Sequence, residues 1–191
     1  MIRNPWKKLG TRPIYRTPWF SVRCDDVIRP DGQRGTYSVV HSERIAVGVV
    51  PLWEDGTVTL VGQWRYPLGE YSWELPEGGG DPARDPLEAA RMELREEAGI
   101  EARSWAYLGR CHTTNCWADE VGHLYLARDL VQGTPEPGGD EEILTRRVLL
   151  EEAIRMASDG RITDAISIVG LFRLAQVLAG RIDAIRVSDS S

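Results

Sequence analysis

The sequence predicts a fold of the mixed α/β (α+β) class, an α/β/α sandwich with a mixed sheet and an N-terminal antiparallel hairpin. Three observations predict it. Short apolar runs separated by turns fill residues 14–66, one helix with clear start and stop signals follows at 86–98, and two more helical segments lie between 150 and 178. Mixed strands with helices on both sides favour a sheet that is covered on both faces.

The N-terminal part is predicted to form a β-hairpin. Residues 14–15 and 20–28 are rich in apolar and β-branched side chains, and a Pro30-Asp31-Gly32 turn leads into a return strand at 37–41. Such runs on either side of a turn are typical of paired strands.

Two central strands are predicted next. Residues 45–53 form a nearly continuous apolar run, Glu54-Asp55-Gly56 has the composition of a hairpin turn, and residues 58–64 alternate between apolar and polar side chains. We therefore expect both strands in the middle of the sheet.

The helix at 86–98 has well-defined ends. Asp85 is a good N-cap, Pro86 suits the first helical position and Glu88 stands three residues after the cap, as in a capping box. Gly99 suits the C-terminal stop.

The remaining elements follow the helix. Strands are predicted at 105–112, 122–127 and 143–149, the last of them after an acidic loop rich in proline and glycine. Helices are predicted at 150–158 and 164–178.

Length and composition favour one catalytic domain. A chain of 191 residues with 42% hydrophobic residues can bury one sizeable core. We expect a β extension for dimerisation at 1–43, the domain at 44–180 and a tail at 181–191. The net charge of −6 and the lack of a basic run argue against a nucleic-acid surface.

The cysteines and the apolar segments indicate the cellular compartment in which we expect the protein. Cys24, Cys111 and Cys116 form no CxxC pair, and their odd number argues against a disulfide framework. The first residues, Met1 to Lys8, lack the apolar run that is typical of a signal peptide. The apolar run at 165–178 is interrupted by Arg173 and falls short of the roughly 20 residues that span a bilayer. We expect a cytoplasmic protein without a membrane anchor.

The helix carries an acidic face. Glu93, Glu96 and Glu97 are spaced i, i+3 and i+4, so their side chains share one side. A hard cation such as Mg²⁺, Mn²⁺ or Ca²⁺ would offset their repulsion, because carboxylate oxygens suit these ions better than zinc. A solvated acidic face is the alternative.

Residues 78–100 resemble the signature motif of the Nudix hydrolases. The motif reads Gly, five residues, Glu, seven residues, and then Arg-Glu-hydrophobic-any-Glu-Glu-any-Gly-hydrophobic. The matching positions are Gly78, Glu93, Leu94, Glu96, Glu97, Gly99 and Ile100. The resemblance implies a Nudix-type sandwich, with the three glutamates as metal ligands.

Two positions depart from this motif. Arg84 stands where the family has its first glutamate, and Met92 stands where the family has an arginine that orients the metal-binding glutamates. Arg84, Arg91 and Arg95 are the candidates to replace that arginine.

Two segments before the helix read Gln63-Trp64-Arg65-Tyr66-Pro67 and Trp73-Glu74-Leu75-Pro76-Glu77-Gly78-Gly79. They are similar to the ADP-ribose pyrophosphatase branch, and the resemblance runs over residues 44–178. It implies that Arg65 binds substrate phosphate, with a solvated strand-end arginine as the alternative reading. It also implies that Glu77 binds metal through its main-chain carbonyl, so that its side chain is incidental. Glu74 is expected either to order the substrate and loop or to pair with Arg65.

The same branch places a catalytic or metal-binding glutamate before the late strand. Glu141 is the first candidate for the general base and Glu142 the second, acting with Glu97; a solvated acidic loop is the alternative. Trp117 lies where relatives carry a Ser-Pro-Gly turn, and we expect it either to stack on substrate or to anchor the loop.

The resemblance implies Mg²⁺-dependent hydrolysis, with Mn²⁺ as an alternative ion, of ADP-ribose or a related nucleoside diphosphate sugar. The products would be a nucleoside monophosphate and a sugar phosphate, and the protein would be a homodimer that exchanges its N-terminal hairpins. One alternative is a Nudix-like binding or regulatory module with little turnover. Another is a hydrolase of a different substrate, such as GDP-mannose or a dinucleoside polyphosphate.

Overall fold

The computed structural model describes residues 2–136, 138 and 142–187. The chain divides into two compact units. The N-terminal unit comprises the residues up to Arg44 together with His112–Glu120, and the main unit comprises Ile45–Cys111 and the residues from Val121 onward.

The N-terminal unit is an antiparallel sheet of three strands in the order β1-β2-β3. They are β1 (Lys7–Arg16), β2 (Phe20–Ile28) and β3 (Arg34–Ser42). The predicted hairpin is β2 and β3, whereas β1 is longer than the two residues predicted for it. Nearly every side chain of β1 is exposed, so the strand lacks the alternation that identifies a half-buried strand in a sequence.

The segment His112–Glu120 is bound to β3. The Val40 N–H donates to the Trp117 carbonyl at 2.8 Å. The Asp119 carboxylate lies 2.8 Å from His41 Nδ1 and accepts from the Ser42 N–H at 3.1 Å. These contacts join a loop that follows β8 to a strand near the start of the chain.

Where the structure describes it, the main unit contains two sheets. Their strands are β4 (Ile45–Pro51), β5 (Thr57–Arg65), β6 (Glu70–Glu74), β7 (Glu77–Gly80), β8 (Ile100–His112), β9 (Val121–Gln132), β10 (Leu144–Leu149) and β11 (Ile185–Val187). One sheet has the order β10-β5-β6 and the other the order β11-β8-β9-β4-β7. Because β9 is parallel to β4, whereas β7 is antiparallel to β4 and β11 is antiparallel to β8, the predicted mixed sheet is confirmed. The short strand β11 lies in the segment that we expected to be a tail.

Three helices of the described residues cover these sheets: α1 (Pro86–Ala98), α2 (Leu150–Asp159) and α3 (Ala165–Leu178). The ends of α1 are those predicted. The Asp85 carboxylate accepts from the Leu87 N–H at 3.0 Å, and Gly99 adopts the left-handed conformation with φ 64°. The cap and stop residues therefore determine both ends of the helix.

Alternate residues of β4 face opposite helices. Val47 and Val49 belong to the same core cluster as Leu94 of α1, whereas Val50 belongs to the cluster that contains Leu171 of α3. Successive side chains of a strand point to opposite faces, so one strand supports both helical layers. The predicted α/β/α sandwich is confirmed.

Strand β4 and helix α3 pack closely at Gly48, where an added Cβ would collide with Ile166 Cγ2. We expect Gly48→Ala to lower the free energy of unfolding by about 2 kcal/mol, because the core has no room for another methyl group. Urea denaturation measures this. The double variant Gly48→Ala/Ile166→Leu, which removes the branch at Cβ, should recover part of the loss; a single variant as stable as wild type would contradict the close packing.

Cys24, Cys111 and Cys116 all lie in the described residues, and none of them is in a disulfide bond. Within the described part of the chain, no helix combines the length and the apolar character needed to cross a bilayer.

Candidate active site

Strand β7 and helix α1 bring the glycine loop against the acidic face. At Gly78, an added Cβ would overlap the Glu93 carboxyl group, so that carboxyl lies directly against the Gly78 backbone. Gly78 pairs with Val47 of β4 in the sheet. A glycine is therefore required here by the close approach of a functional side chain.

The second acidic side chain of α1 is buried beside the same strand. Glu97 is only 2% exposed, and its Oε2 accepts from the Glu77 N–H at 2.9 Å. A charge-assisted hydrogen bond of this kind fixes the carboxylate relative to the backbone of β7. Glu93 and Glu97 thus both lie against the loop, as their spacing predicts.

Glu96 is half-buried near the C-terminal end of α1. Its main-chain carbonyl accepts from the Glu136 N–H at 2.9 Å, and the Gln132 side-chain amide donates to the Ala98 carbonyl at 3.0 Å. The segment that follows β9 is therefore attached to the end of the acidic helix.

The two candidate bases come after this attached segment. Glu141 lies outside the described residues. Glu142 is exposed and is separated from the start of β10 by one residue, Ile143. Their roles stay predictions.

Arg65 is bonded to two carboxylates. Its Nε donates to Glu74 Oε1 at 3.0 Å and Oε2 at 3.1 Å, and its Nη2 bonds Glu74 Oε2 and Glu77 Oε1, the latter at 3.0 Å. The Glu74 side chain is 3% exposed and that of Arg65 is 33% exposed. Glu74 is thus the partner of Arg65, which was one of the two roles we expected for it.

The Glu77 side chain lies inside this network, although we expected it to be incidental. Its Oε2 atom is buried, and the Asp164 side chain lies within hydrogen-bond reach of the Glu77 carboxyl group. Burial, followed by the nearby Asp164 and Glu74 carboxylates, raises the pKa of Glu77 well above its ordinary value, and Arg65 opposes this rise. The family resemblance assigned Glu77 a role through its main-chain carbonyl only. It therefore did not predict that the Glu77 side chain takes part in the network around Arg65.

Two of the three arginines considered for the missing motif arginine have other contacts. Arg84 is largely exposed and lies 4.0 Å from Asp81, and the Arg91 guanidinium lies 5.8 Å from the centre of the Trp105 ring. Arg95 is exposed in the last turn of α1. Arg65, by contrast, donates hydrogen bonds to the Glu74 and Glu77 carboxylates beside β7.

Trp117 belongs to the N-terminal unit. Its side chain is 53% exposed, so the expectation of a buried loop anchor is wrong. Stacking on a substrate stays a prediction.

Sequence analysis missed two residues at the start of α3: Ser167, which contacts the loop before β7, and the N-cap Asp164, which lies near Glu77 of β7. The Ser167 hydroxyl is fully buried and accepts from the Leu75 N–H at 2.8 Å, while the Ser167 N–H donates to Asp164 Oδ2 at 2.6 Å. Asp164 is the N-cap of α3. Its position before an apolar run signals the cap, but nothing local to it signals contact with a loop some 90 residues earlier.

The donor set suits a hard cation. Glu93, Glu96 and Glu97 offer carboxylate oxygens and Glu77 offers a carbonyl, next to the glycine backbone where a Cβ would displace Glu93. Among the described residues, no group of three or more Asp, Glu, His or Cys side chains is arranged closely enough to hold a metal ion. Mg²⁺ does not need such a cage, because it commonly uses one or two carboxylates together with waters and substrate phosphates.

Gly78→Ala tests the close approach of Glu93. We expect kcat to fall about 100-fold because the new methyl group displaces the carboxyl from its place. The free energy of unfolding should change by less than about 1 kcal/mol, since the end of a glutamate side chain rotates easily.

Steady-state kinetics and urea denaturation measure the two effects. Glu93→Gln is the matched control, and the double variant should lose little more than either single variant. Additive losses in the double variant would show that Gly78 acts independently of Glu93.

Comparison with known proteins places the chain in a family. The model of the NUDIX domain matches residues 42–166, and that of the nucleoside diphosphate sugar hydrolase N-terminal domain matches residues 6–40. The chain is 33% identical over 184 residues to an ADP-ribose pyrophosphatase from Mycobacterium tuberculosis, covering 94% of this chain and 88% of the relative. It is 29% identical over 167 residues to a methanol dehydrogenase activator from Bacillus methanolicus, covering 86% and 90%.

The fold is shared with a solved structure. A crystal structure of an ADP compounds hydrolase superposes with a TM-score of 0.83 at 23% identity, covering 95% of this chain and all of that chain. The NUDIX model spans more than half of the sequence, including the glycine loop and α1. The chain therefore belongs to the Nudix family.

Proposed function

We propose that the protein hydrolyses the diphosphate of ADP-ribose or a related nucleoside diphosphate sugar to a nucleoside monophosphate and a sugar phosphate. The observation that carries the proposal is the placement of Glu93 and Glu97 against β7, at the motif that defines the family. The similarity to an ADP-ribose pyrophosphatase over 94% of the chain supports this substrate class.

Mg²⁺, or Mn²⁺ in its place, would be held by the carboxylates of Glu93, Glu96 and Glu97 and by the Glu77 carbonyl. When bound, such an ion neutralises phosphoryl charge and lowers the pKa of a bound water. The Glu77 N–H keeps the Glu97 carboxylate in place for this role.

Arg65 would bind a phosphate oxygen. Its Nε and Nη2 atoms are bonded to Glu74 and Glu77, and no hydrogen bond within the described part of the chain uses Nη1. The two carboxylates hold the guanidinium in one orientation, so that Nη1 is positioned to donate to the substrate. Glu141, or else Glu142, would take the proton from the attacking water.

The protein would act as a homodimer in a reducing cytoplasm. The N-terminal unit exposes large apolar side chains, among them Tyr15 at 59% and Trp19 at 64%, as expected of a surface that another subunit covers. Cys24, Cys111 and Cys116 form no disulfide bond in the described structure, which is compatible with a reducing compartment. Light scattering of the purified chain tests the dimer.

A binding or regulatory module with little turnover is the second candidate. Two observations favour it: Met92, at the position of the motif arginine, is 41% exposed, and Arg84 is paired with Asp81. The similarity to a methanol dehydrogenase activator is compatible with such a role.

A panel of diphosphates distinguishes the candidates. Purified protein with Mg²⁺ would be given ADP-ribose, other nucleoside diphosphate sugars, GDP-mannose and a dinucleoside polyphosphate, and products would be separated by ion-exchange chromatography. We expect the highest kcat/KM for ADP-ribose or a close analogue, with a monophosphate and a sugar phosphate in equal amounts. Tight binding of a nucleotide without products would favour the regulatory module, and a preference for GDP-mannose or a dinucleoside polyphosphate would change the substrate class.

A further inference from the structure

A short buried stretch connects the two sheets of the main unit. Strand β6 ends at Glu74 in one sheet and β7 begins at Glu77 in the other, so that only Leu75 and Pro76 lie between them. Both of these residues are buried. A backbone N–H that is buried between two sheets must find an acceptor outside their ladders. We refer to Leu75-Pro76-Glu77 as the connecting segment.

The connecting segment has two backbone N–H groups, since proline has none. The Leu75 N–H donates to the Ser167 hydroxyl oxygen of α3 at 2.8 Å, and the Glu77 N–H donates to Glu97 Oε2 of α1 at 2.9 Å. Helices α1 and α3 pack on opposite faces of β4. The two N–H groups are therefore bonded to side chains of different helical layers, and the segment is held from both sides.

Helix α3 also packs against the Leu75 side chain. Leu75 is fully buried, and an added Cβ at Gly170 would lie 3.0 Å from Leu75 Cδ1. Gly170 follows Ser167 by three residues, so both face the same side of α3. Ser167 is itself fully buried, and its N–H is bonded to the N-cap Asp164. The hydroxyl group that accepts from Leu75 is thus fixed in place.

The position of Leu75 affects the direction of the Glu77 carbonyl. The Pro76 carbonyl accepts from the Val49 N–H at 2.9 Å, and proline restricts its own φ angle to about −65°. Because rotation between Leu75 and Glu77 is limited in this way, a shift of the Leu75 backbone is transmitted to Glu77. Groups that orient metal ligands typically change metal affinity by roughly 10- to 100-fold.

We propose that Ser167 is a positioning residue for metal binding: its hydroxyl group holds the connecting segment so that the Glu77 carbonyl is directed toward the ion. This inference rests on the proposed function, which assigns that carbonyl to Mg²⁺ or Mn²⁺. Ser167 acts through Leu75 and touches neither the ion nor the substrate. The support of the metal site then extends to α3, a helix that carries none of the proposed ligands.

Two substitutions of Ser167 separate the hydrogen bond from the packing. Ser167→Ala removes the acceptor and leaves a small gap, whereas Ser167→Cys fills the space with a sulfur atom that accepts only weakly. In both variants, the affinity for Mn²⁺ in the presence of the α,β-methylene analogue of ADP-ribose should fall about tenfold, as measured by electron paramagnetic resonance. The Mg²⁺ concentration that gives half-maximal kcat should rise by a similar factor.

Val177→Ala, further along α3, is the matched control. Val177 packs against the core, so that its truncation weakens the packing of the helix without touching the connecting segment. The Mn²⁺ affinity of this variant should equal that of the wild type. Wild-type affinity in Ser167→Ala would overturn the inference. Full recovery in Ser167→Cys, or an equal loss in Val177→Ala, would also overturn it, because either result would assign the effect to packing.

Amide hydrogen exchange distinguishes failure of this inference from failure of the proposed function. Measured by NMR on the metal-free protein, the Glu77 N–H should exchange about tenfold faster in Ser167→Ala than in Val177→Ala or wild type, because its bond to Glu97 depends on the placement of the segment. A wild type that neither binds Mn²⁺ nor cleaves ADP-ribose would contradict the proposed function. The exchange rates then decide: faster exchange in Ser167→Ala would support the hold of Ser167 on the segment, and equal rates would overturn it.

Discussion

Replacing Glu97 with glutamine is expected to lower kcat by about three orders of magnitude, the equivalent of about 4 kcal/mol of lost transition-state stabilisation. Glu97 is buried, and its Oε2 accepts from the Glu77 N–H. The glutamine oxygen can still accept that bond, so the loop should keep its place. The lost charge, however, removes a carboxylate that would hold the metal ion.

Steady-state kinetics with ADP-ribose and circular dichroism would separate these effects. Glu101→Gln, at an exposed position of β8, is the control and should behave as wild type. A Glu97→Gln variant with wild-type kcat would show that the acidic face of α1 does not take part in the reaction.

Replacing Arg65 with methionine is expected to lower the free energy of unfolding by about 3 kcal/mol, because it leaves buried carboxylates without their cation. Glu74 is almost fully buried and is bonded to Arg65 through both oxygens, and the Glu77 carboxylate shares the same guanidinium. We also expect kcat/KM to fall about tenfold or more, because the variant loses the hydrogen bond from Arg65 to the substrate phosphate.

Urea denaturation measures the stability effect. The double variant Arg65→Met/Glu74→Gln removes one of the uncompensated charges and should recover part of the stability without recovering activity. If Arg65→Met is as stable as wild type, the network around Arg65 contributes little to the fold.

Local sequence patterns were sufficient to predict features that depend on neighbouring residues, such as the ends of a helix and the side chains that share one helical face. Asp85, Pro86 and Gly99 determine the ends of α1 through capping and backbone conformation, and the structure has the helix where they predict it. The spacing of Glu93 and Glu97 likewise places both on the side that faces β7.

Local sequence patterns did not predict the features that depend on contacts between residues far apart in the chain. Strand β1 is exposed along almost its whole length, so no apolar pattern reveals it, and the pairing of Ile185–Val187 with β8 depends on an edge that only the folded sheet provides. The contact of Ser167 with Leu75 joins residues 92 positions apart. The burial of the Glu77 side chain likewise depends on Arg65, Glu74 and Asp164 meeting in space.

The central claim is that the acidic face of α1 captures a divalent ion for cleavage of a diphosphate. Mn²⁺ affinity, measured by electron paramagnetic resonance in the presence of the α,β-methylene analogue of ADP-ribose, tests it most directly. The wild type should bind Mn²⁺ with the analogue, and Glu97→Gln should bind it at least about tenfold more weakly, while Glu101→Gln should match the wild type. Equal affinity in Glu97→Gln and wild type, or no binding to the wild type, would contradict the claim.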